Sequence, residues 1–336
     1  MTGLLLADPH ITDNPHEDYR LLLREEVARV VEKYKAETII ILGDLTVEKD
    51  RHSYWLVNWW VDTIVKWSKQ VPVIILMGNH DYTDPTLPYF KFLSNLPNSV
   101  RFIEKPTVMP MLDTNRMLLL PHTRDYEQDW RKFNFKDYGY IFTHQTFTGA
   151  RASNDKVLEG IPHSVFDEAK CKIWSGDIHV PQQVGPVEYV GAPYRINFGD
   201  RFTPRMVFVG RGGKSKSISW PGVLKHLVVV DSVSKLGKVK EVRKNDLVKI
   251  RYRLTRSDYV KWPEIRAKLL AKSESRGWVV RGIEIESQDK DIAMKTLPKK
   301  LMSIQDPRKI LKTYAKKNKV DPRTIKVGLR LLKEVS

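Results

Sequence analysis

The sequence has one cysteine in 336 residues and no apolar run long enough to cross a bilayer. The single thiol, Cys171, excludes an intramolecular disulfide, and its apolar surroundings in the sequence indicate a core residue rather than a nucleophile. The chain opens on Met1-Thr2-Gly3 and passes directly into Leu4-Leu5-Leu6, without the basic segment of a secretory leader. We therefore expect a soluble protein of the cytoplasm, with no membrane association.

Acidic residues are few relative to basic ones. Lys and Arg number 57 against 40 Asp and Glu, which gives a formal net charge of +17. Because a surplus of cationic side chains attracts polyanions whatever their sequence, nucleic acid is the first candidate partner. The alternative is that the charge only maintains solubility. Hydrophobic residues make up 41% of the chain, which excludes a disordered protein and predicts a sizeable core in one large or two smaller domains.

Polar side chains follow apolar runs at the points where predicted strands end. The run 71–77 precedes Gly78-Asn79-His80-Asp81, a tetrapeptide that by itself also makes a good turn. The same arrangement recurs at other runs, and in α/β proteins the carboxyl ends of the strands hold the site. The groups at these five strand ends are Asp8 and His10, Asp44, Asn79 and His80, His144, and Asp177 with His179. Together they offer enough ligands for two divalent metal ions that share a carboxylate.

The periodicity predicts helices between the first strands. Apolar residues recur at helical spacing over 23–34, and a second helix over 53–68 carries four Trp residues. Between 100 and 120 the pattern changes, which predicts an antiparallel continuation or a second sheet. Further strands of the layer that contains Cys171 are predicted over 189–191, 195–198 and 205–209.

The last third of the chain has a different composition. After Gly222 the order strand, helix, strand predicts a small α+β unit. Two basic helices are predicted to follow. Each would begin with an N-cap acceptor before a proline, at Asp306-Pro307 and at Asp321-Pro322. The lysines of these helices either contact DNA or form a solvated face.

The order Asp-x-His, Gly-Asp, Gly-Asn-His-Asp, His and Gly-x-x-His resembles that of the calcineurin-like metallophosphoesterases over the first two-thirds of the chain. Within that superfamily the sequence is most similar to the SbcD group, which includes the meiotic-recombination nucleases and their phage relatives. Tyr189-Val190-Gly191-Ala192-Pro193-Tyr194 follows the last motif, where the group has a similar Gly-small-Pro element.

The resemblance implies an α/β fold, with a two-sheet metallophosphoesterase sandwich flanked by helices. This nuclease domain would span 1–222, followed by a small α+β DNA-binding cap over 223–290. A basic helical C-terminal tail over 291–336 would lie where the group binds its ATPase partner.

The resemblance also implies a role for each polar group. His80 would stand over the scissile phosphate as the catalytic acid or hydrogen-bond donor. Asp44 would bridge two metal ions, Mn²⁺ first and Mg²⁺ as the alternative. One ion would be held by Asp8, His10, Asp44 and His179, and the other by Asp44, Asn79, His144 and Asp177.

Two positions depart from the pattern of the group. Asp177 stands where a His is usual, and a carboxylate there favours harder ions such as Mn²⁺ or Mg²⁺ over Zn²⁺. Val47 stands where some relatives have His or Asp, and either Lys49 or His52 is a candidate replacement. The balance between exonuclease and endonuclease action depends on this second departure.

The implied function is a two-metal DNA phosphodiesterase in an SbcCD-like complex for DNA end processing and repair. Its expected partners are DNA, a coiled-coil SbcC-like ATPase and a second copy of the chain, paired through helices over 53–68 and 85–95. Two alternatives stay open. One is a small-molecule phosphatase or cyclic-nucleotide phosphodiesterase, against which the charge and the extra domain speak. The other is a non-catalytic DNA-end scaffold whose site has decayed through Asp177.

Overall fold

The computed structural model describes residues 2–97, 99–110, 116–255, 258, 261–287, 307–318 and 320–334. Contacts divide the chain into two compact units. The first comprises Met1–Leu227, Lys240–Lys249 and Arg276–Arg281, and the second comprises Val228–Val239, Ile250–Ser275 and Gly282–Ser336. The division at 222 and 290 expected from the sequence stays a prediction. None of the helices in the described ranges has the length and apolar content that a bilayer span requires.

The first sheet contains six strands and belongs to the first unit. Its strands are β1 (Gly3–Leu6), β2 (Thr38–Ile41), β3 (Val73–Leu76), β4 (Val100–Ile103), β11 (Arg205–Val209) and β12 (Ser215–Ser219). They are arranged in the order β12-β11-β1-β2-β3-β4. Strands β1 to β4 run parallel, so their carboxyl ends share one edge.

The second sheet also has six strands, which confirms that a new sheet begins after β4. Its strands are β5 (Thr107–Pro110), β6 (Arg116–Leu120), β7 (Tyr140–His144), β8 (Lys172–Gly176), β9 (Gln182–Val184) and β10 (Val187–Tyr189). Their order is β5-β6-β7-β8-β10-β9, and β6, β7 and β8 are parallel.

Two strand predictions in this region are wrong. Residues 195–198 form no strand, because Arg195 turns inward to donate to the Phe202 carbonyl at 3.2 Å. The next residues close a turn in which the Asn197 amide donates to Asp200 at 2.8 Å. Strand β11 belongs to the first sheet rather than to the layer of Cys171, since it pairs antiparallel with β1.

Strands β1, β2 and β3 are buried along their whole length because both faces of the first sheet are covered there. Leu5 and Ile40 point toward the second sheet and pack in one cluster with Phe142 and Trp174. The rings of Phe142 and Trp174 stack with centroids 5.5 Å apart. The neighbours of Leu5 and Ile40 along each strand pack instead in the cluster that covers the other face.

Helices cover the outer faces of the first unit. They are α1 (Leu23–Tyr34), α2 (Tyr54–Ser68) and the short α3 (Tyr126–Trp130), with 3-10 helices over Pro15–Leu22, Tyr89–Asn95, Phe135–Asp137, His163–Phe166 and Arg211–Gly213. The α2 helix begins as predicted, with the Ser53 side chain accepting from the Leu56 amide at 3.2 Å. It buries Trp59, Trp60 and Trp67, whereas Tyr54 is 83% exposed.

The C-terminal part contains a three-stranded sheet in the order β13-β14-β15. Its elements are β13 (Lys225–Val230), α4 (Val233–Leu236), β14 (Leu247–Leu254), α5 (Trp262–Ser275) and β15 (Val279–Ser287), and two helices follow, α6 (Pro307–Lys317) and α7 (Pro322–Glu334). Both late helices begin at the predicted prolines. They pack closely at Gly328, where a Cβ would lie 2.9 Å from Leu311 Cδ2. The stretch 288–306, part of the predicted cap and tail, lies outside the described residues.

Asp246, immediately before β14, is the acceptor in a buried hydrogen-bond network within the first unit. Its carboxylate accepts from the Leu224 amide at 2.9 Å, from the Arg243 amide at 3.0 Å and from His226 Nε2 at 3.0 Å. The Asp246 residue is 1% exposed. Burial alone would raise its pKa, but the hydrogen bonds from His226 and the backbone lower the pKa to about 2.

Asp246→Ala is expected to lower the free energy of unfolding by about 3 kcal/mol, because it leaves buried donors without an acceptor. The contribution of the ionised Asp246 is present above its unfolded pKa near roughly 4 and is lost as pH falls through about 2. Urea unfolding at pH 7 measures the loss. The matched control is Asp231→Ala, which removes a solvent-accessible pair with Lys235 and should leave the free energy of unfolding nearly unchanged. Equal losses in both variants would contradict this account.

Candidate metal centre

The polar groups predicted from the strand ends meet at the carboxyl edges of the two sheets. Asp8 and His10 follow β1, Asp44 follows β2, Asn79 and His80 follow β3, His144 ends β7, and Asp177 and His179 follow β8. Two groups of ligand atoms each lie within 4.8 Å of one another. The first group is Asp8, His10 and His179, and the second is Asp8, Asp44 and His144. Two adjoining positions for a cation are therefore present.

Asp44 lies between imidazoles from different strands. Its Oδ2 atom is 3.5 Å from His10 Nε2, and its Oδ1 atom is 3.4 Å from His144 Nε2. On one side, the Nε2 atoms of His10 and His179 are 3.1 Å apart. On the other side, Asn79 Oδ1 lies 3.2 Å from His144 Nε2. This arrangement suits a bridging carboxylate, although Asp8 belongs to both ligand groups as well, so the bridge stays a prediction.

Asp177 is placed at the edge of the second position. Its Oδ1 atom is 3.9 Å from His144 Nε2, and its Oδ2 accepts a hydrogen bond from the Thr146 hydroxyl. The Asp177 amide also donates to Asp8 Oδ1 at 3.0 Å. The carboxylate that replaces the usual His thus faces the cluster, held by a threonine that the sequence did not indicate.

The buried carboxylates fit divalent cations. Asp8 is completely buried, and within the described part of the chain its Oδ2 atom has no hydrogen-bond partner. A buried carboxylate oxygen without a partner is strongly destabilising unless a cation compensates it. Oxygen and imidazole ligands in this number suit Mn²⁺, Mg²⁺ or Zn²⁺.

Backbone carbonyls fix the imidazole tautomers. His10 Nδ1 lies 3.1 Å from the Thr46 carbonyl oxygen, and His144 Nδ1 contacts the Leu42 carbonyl oxygen. Since a carbonyl can only accept, each Nδ1 carries the proton in these bonds. The lone pair of each neutral ring is then on Nε2, which faces Asp44. Both rings are therefore oriented to bind metal through Nε2.

Four of the site residues have a left-handed backbone. The φ angles are 52° at Asp8, 42° at His10, 57° at Asp44 and 81° at Asp177. Residues other than glycine rarely adopt positive φ, and each such residue costs roughly 1–3 kcal/mol. The backbone is thus bent sharply where β1, β2 and β8 end, and the surrounding structure must compensate for the strain.

Glycines make room for the ring of His144. A Cβ at Gly43, where φ is +87°, would lie 2.3 Å from His144 Nδ1. A Cβ at Gly78 would lie 2.2 Å from Asp44 Oδ1, and one at Gly176 would lie 2.2 Å from the Leu42 carbonyl oxygen. The glycines in the Gly-Asp, Gly-Asn-His-Asp and Gly-x-x-His motifs are therefore required by close packing.

Asp81 supports a loop rather than the ring of His80. Its carboxylate accepts from the amides of Gly78 at 2.7 Å, Asp44 at 3.0 Å and Leu45 at 3.1 Å. Asp81 therefore holds the loop that carries Asp44.

The ring of His80 is held by Val47, a residue that the sequence marked only as a departure from the pattern of the group. His80 Nδ1 lies 2.7 Å from the Val47 carbonyl oxygen, so Val47 contributes its backbone. His52, a candidate replacement for Val47, instead contacts the Thr46 hydroxyl at 2.7 Å and packs on Tyr89 with ring centroids 3.9 Å apart. His52 therefore supports the loop below the site.

Arg20 is a supporting residue that sequence reasoning missed. It is 3% exposed, donates to the His10 carbonyl oxygen and pairs with Glu17 at 2.6 Å. Nothing in the helical pattern around it signals this contact. His122, which follows β6 directly after Pro121, was also missed, although it carries the same strand-end signal as the predicted ligands.

The buried charges shift the pKa values of the two metal-facing imidazoles in opposite directions. Burial lowers the pKa of His10, and the neighbouring His179 and His80 lower it further. Burial also opposes protonation of His144, but the carboxylates of Asp44, Asp8 and Asp177 raise its pKa to about 9. Without metal, His10 is neutral and His144 holds a proton at neutral pH.

Metal binding is therefore expected to release a proton. A cation bound at His144 must displace the proton that the carboxylates retain up to a pH of about 9, so affinity should rise with pH through the neutral range. Calorimetric titration of Mn²⁺ in buffers of different ionisation enthalpy counts the released protons. We expect at least one per protein at pH 7.5, and fewer in His144→Asn. Affinity independent of pH between 6 and 8 would contradict this expectation.

Comparison with known proteins agrees with the fold. Residues 1–210 match the calcineurin-like phosphoesterase family. The chain belongs to this family, whose members use divalent metal ions, and its first unit is a metal-dependent hydrolase domain. No curated protein sequence gives a significant match.

Two solved structures are similar to part of this chain at low identity. One is a phosphatase from Mycoplasma pneumoniae, with 14% identity and a TM-score of 0.37 over 65% of this chain and 92% of that chain. The other is the nuclease MPE from Pseudomonas putida, with 16% identity and a TM-score of 0.27 over 64% of this chain and 87% of that chain. Similarity at this level does not distinguish a phosphatase from a nuclease.

Proposed function

We propose that the protein is a two-metal phosphodiesterase that cleaves DNA, as an exonuclease or endonuclease. The observation that carries the proposal is the position of Asp44, whose two carboxylate oxygens lie 3.5 Å and 3.4 Å from imidazole nitrogens on opposite sides. When bound, two divalent ions supply a water of lowered pKa and polarise the phosphoryl oxygens. Mn²⁺ is the ion that the oxygen-rich ligand set favours, with Mg²⁺ as the alternative.

In this proposal His80 acts on the phosphate. Its ring centroid is 5.0 Å from that of His10, so it stands beside the metal ligands. With Nδ1 donating to Val47, the protonated ring has its second N–H on Nε2. That N–H can donate to the leaving oxygen or to the charge that develops on the phosphate.

The choice of DNA rests on charge. The net charge of +17 favours a polyanion over a small phosphate ester. The test is incubation of the purified protein with end-labelled single- and double-stranded DNA, with Mn²⁺, with Mg²⁺ and with EDTA. We expect cleavage that depends on metal. Hydrolysis of p-nitrophenyl phosphate without cleavage of DNA would instead favour the small-molecule phosphatase.

The scaffold alternative makes a different prediction for the same incubation. If Asp177 had inactivated the centre, metal would bind without turnover. We expect turnover with Mn²⁺, since an aspartate is a competent ligand for that ion. Full metal occupancy without cleavage of any phosphodiester would favour the scaffold.

We also propose that the protein forms a homodimer and docks on an SbcC-like coiled-coil ATPase. The dimer proposal is supported by exposed apolar side chains at α2 and before the 3-10 helix over Tyr89–Asn95, where Tyr54 is 83% and Leu87 is 71% exposed. In the late helices, Val327 of α7 is 58% exposed and Tyr314 of α6 is 37% exposed. Sedimentation at micromolar concentration tests the dimer. Pull-down of the ATPase with and without residues 303–336 tests the docking.

A further inference from the structure

A cavity of about 620 Å³ opens beside the metal centre, at the next strand ends of the same edge. It is lined by residues that follow β3 and β4 of the first sheet and β6 of the second sheet. We call it the flanking cavity, and define it by Met77, Tyr82, Lys105, His122, Arg124 and Lys132. Its volume lies in the range of roughly 300–1,000 Å³ that is usual for pockets of small ligands and nucleotides.

The flanking cavity and the metal centre share a wall. The ring of His122 lies 6.2 Å from the ring of His144, measured between centroids. His122 is fixed from both sides, because its amide donates to the Met77 carbonyl oxygen at 2.8 Å and its Nδ1 lies 2.7 Å from the Tyr82 hydroxyl. A ligand in the cavity would therefore be separated from the metal-bound phosphate by the imidazole ring of His122.

The lining of the cavity is cationic. Five Lys and Arg residues line it against three carboxylates. The carboxylates already have partners: Glu104 pairs with Lys91 at 3.1 Å, Asp125 accepts from the Gln128 amide at 3.1 Å, and Asp129 accepts from the Thr123 hydroxyl. Among the residues that the structure describes, no carboxylate forms an ion pair with Lys105, Arg124, Arg131 or Lys132.

Arg124 is held in place for an anion. Its guanidinium carbon lies 5.3 Å from the centroid of the Tyr82 ring, and Nη2 donates to the Thr83 carbonyl oxygen at 3.4 Å. Tyr82 is 2% exposed, so the ring is a rigid platform. A guanidinium held in this way loses little conformational entropy when it binds a phosphate through two parallel N–H bonds.

We propose that the flanking cavity binds a second phosphate of the substrate, that of the nucleotide next to the scissile phosphodiester. Arg124 and Lys105 hold this phosphate, and His122 separates it from the metal centre. The inference rests on the proposed phosphodiesterase function. It implies that a substrate with two consecutive phosphates binds more tightly than a diester with one, which a small-molecule phosphatase would not require.

Binding to the metal-free protein tests the cavity separately from catalysis. The test variant is Arg124→Gln with Lys105→Gln, and both side chains are exposed. The matched control is Arg101→Gln with Lys170→Gln, which removes the same charge at exposed positions that do not line the cavity. Fluorescence anisotropy with a labelled hexathymidylate in EDTA, repeated over a range of KCl concentrations, gives Kd and its salt dependence.

We expect Kd of the test variant to rise about tenfold and the slope of log Kd against log salt to fall by about 1, the loss of one phosphate contact. The control should change Kd less than about twofold. Arg124→Lys keeps the charge but not the planar fork, so its Kd should be intermediate. Test and control variants with equal Kd and equal slopes would overturn the proposal. Circular dichroism melting identifies a variant that fails to fold. If the double variant does not fold, the comparison of Kd is made between Arg124→Lys and the wild type.

Catalysis distinguishes failure of this inference from failure of the proposed function. Wild-type hydrolysis of bis(p-nitrophenyl) phosphate, which has one phosphate, reports on the metal centre. Wild-type cleavage of hexathymidylate reports on the nuclease function. If the wild type hydrolyses the first but never cleaves the second, the proposed function fails, while the anisotropy result still decides the cavity. If it cleaves both, and KM for hexathymidylate is the same in test and control variants, only the cavity proposal fails.

Discussion

Replacing Asp44 with asparagine should reduce metal-dependent turnover by roughly 1,000-fold, because the loss of a shared ligand removes several kcal/mol of transition-state stabilisation. The fold should survive, since an asparagine oxygen can still accept from the His80 amide, which lies 2.8 Å from Asp44 Oδ1. Phosphodiester hydrolysis at saturating Mn²⁺ measures the loss, and calorimetry measures metal stoichiometry. We expect the number of bound ions to fall as well.

The control for Asp44 is Asp62→Asn, which removes an exposed carboxylate on α2 and should leave turnover within about twofold. Asp8 provides a second comparison because it belongs to both groups of ligand atoms. If Asp8→Asn removes both ions while Asp44→Asn removes one, then Asp8 rather than Asp44 is the bridge. Normal turnover in Asp44→Asn would contradict the two-metal proposal.

Replacing His80 with asparagine should lower kcat by roughly 100- to 10,000-fold while metal binding stays unchanged. The asparagine amide can replace His80 Nδ1 as the donor to the Val47 carbonyl oxygen, 2.7 Å away, and only Nε2 is lost. Calorimetry should therefore give the wild-type stoichiometry and Kd for Mn²⁺. His16→Asn, at an exposed position, is the matched control and should keep wild-type kcat.

The leaving group separates the two roles open to His80. If Nε2 protonates the leaving oxygen, His80→Asn should affect cleavage of DNA much more than that of bis(p-nitrophenyl) phosphate, because nitrophenolate leaves without a proton. Equal losses on both substrates would instead favour stabilisation of charge on the phosphate. Loss of metal together with kcat would contradict a role for His80 outside the ligand set.

The site was predictable where one rule of sheet geometry applied to the sequence. Apolar runs with polar residues at their ends located β1, β2, β3, β7 and β8, and the shared edge of parallel strands then brought their side chains together. The same reasoning failed at 195–198, because alternation of apolar and polar residues predicts a strand only where a neighbouring strand supplies hydrogen bonds. Asn197 and Asp200 bond to each other instead.

Supporting residues could not be predicted, because they contact atoms that belong to other elements of the fold. Arg20 reaches the carbonyl oxygen of His10, and Thr146 reaches the carboxylate of Asp177. No local pattern marks such contacts. The contacts of Asp81 could not be predicted for the same reason. Asp81 is adjacent to His80 in the sequence, whereas its partners include the Asp44 and Leu45 amides from another loop.

Four left-handed residues and several carboxylates at one edge are unfavourable without a cation, so we expect bound ions to stabilise the fold. Mn²⁺ that binds only the folded state should raise the midpoint of thermal unfolding, and a chelator should lower it. Directed evolution for thermal stability in a chelator should accordingly return glycine at Asp44 or Asp177, where φ is 57° and 81°, since glycine removes both strain and buried charge. Variants selected in this way would be more thermostable and inactive. The metal centre is therefore the region where thermal stability and catalytic activity conflict.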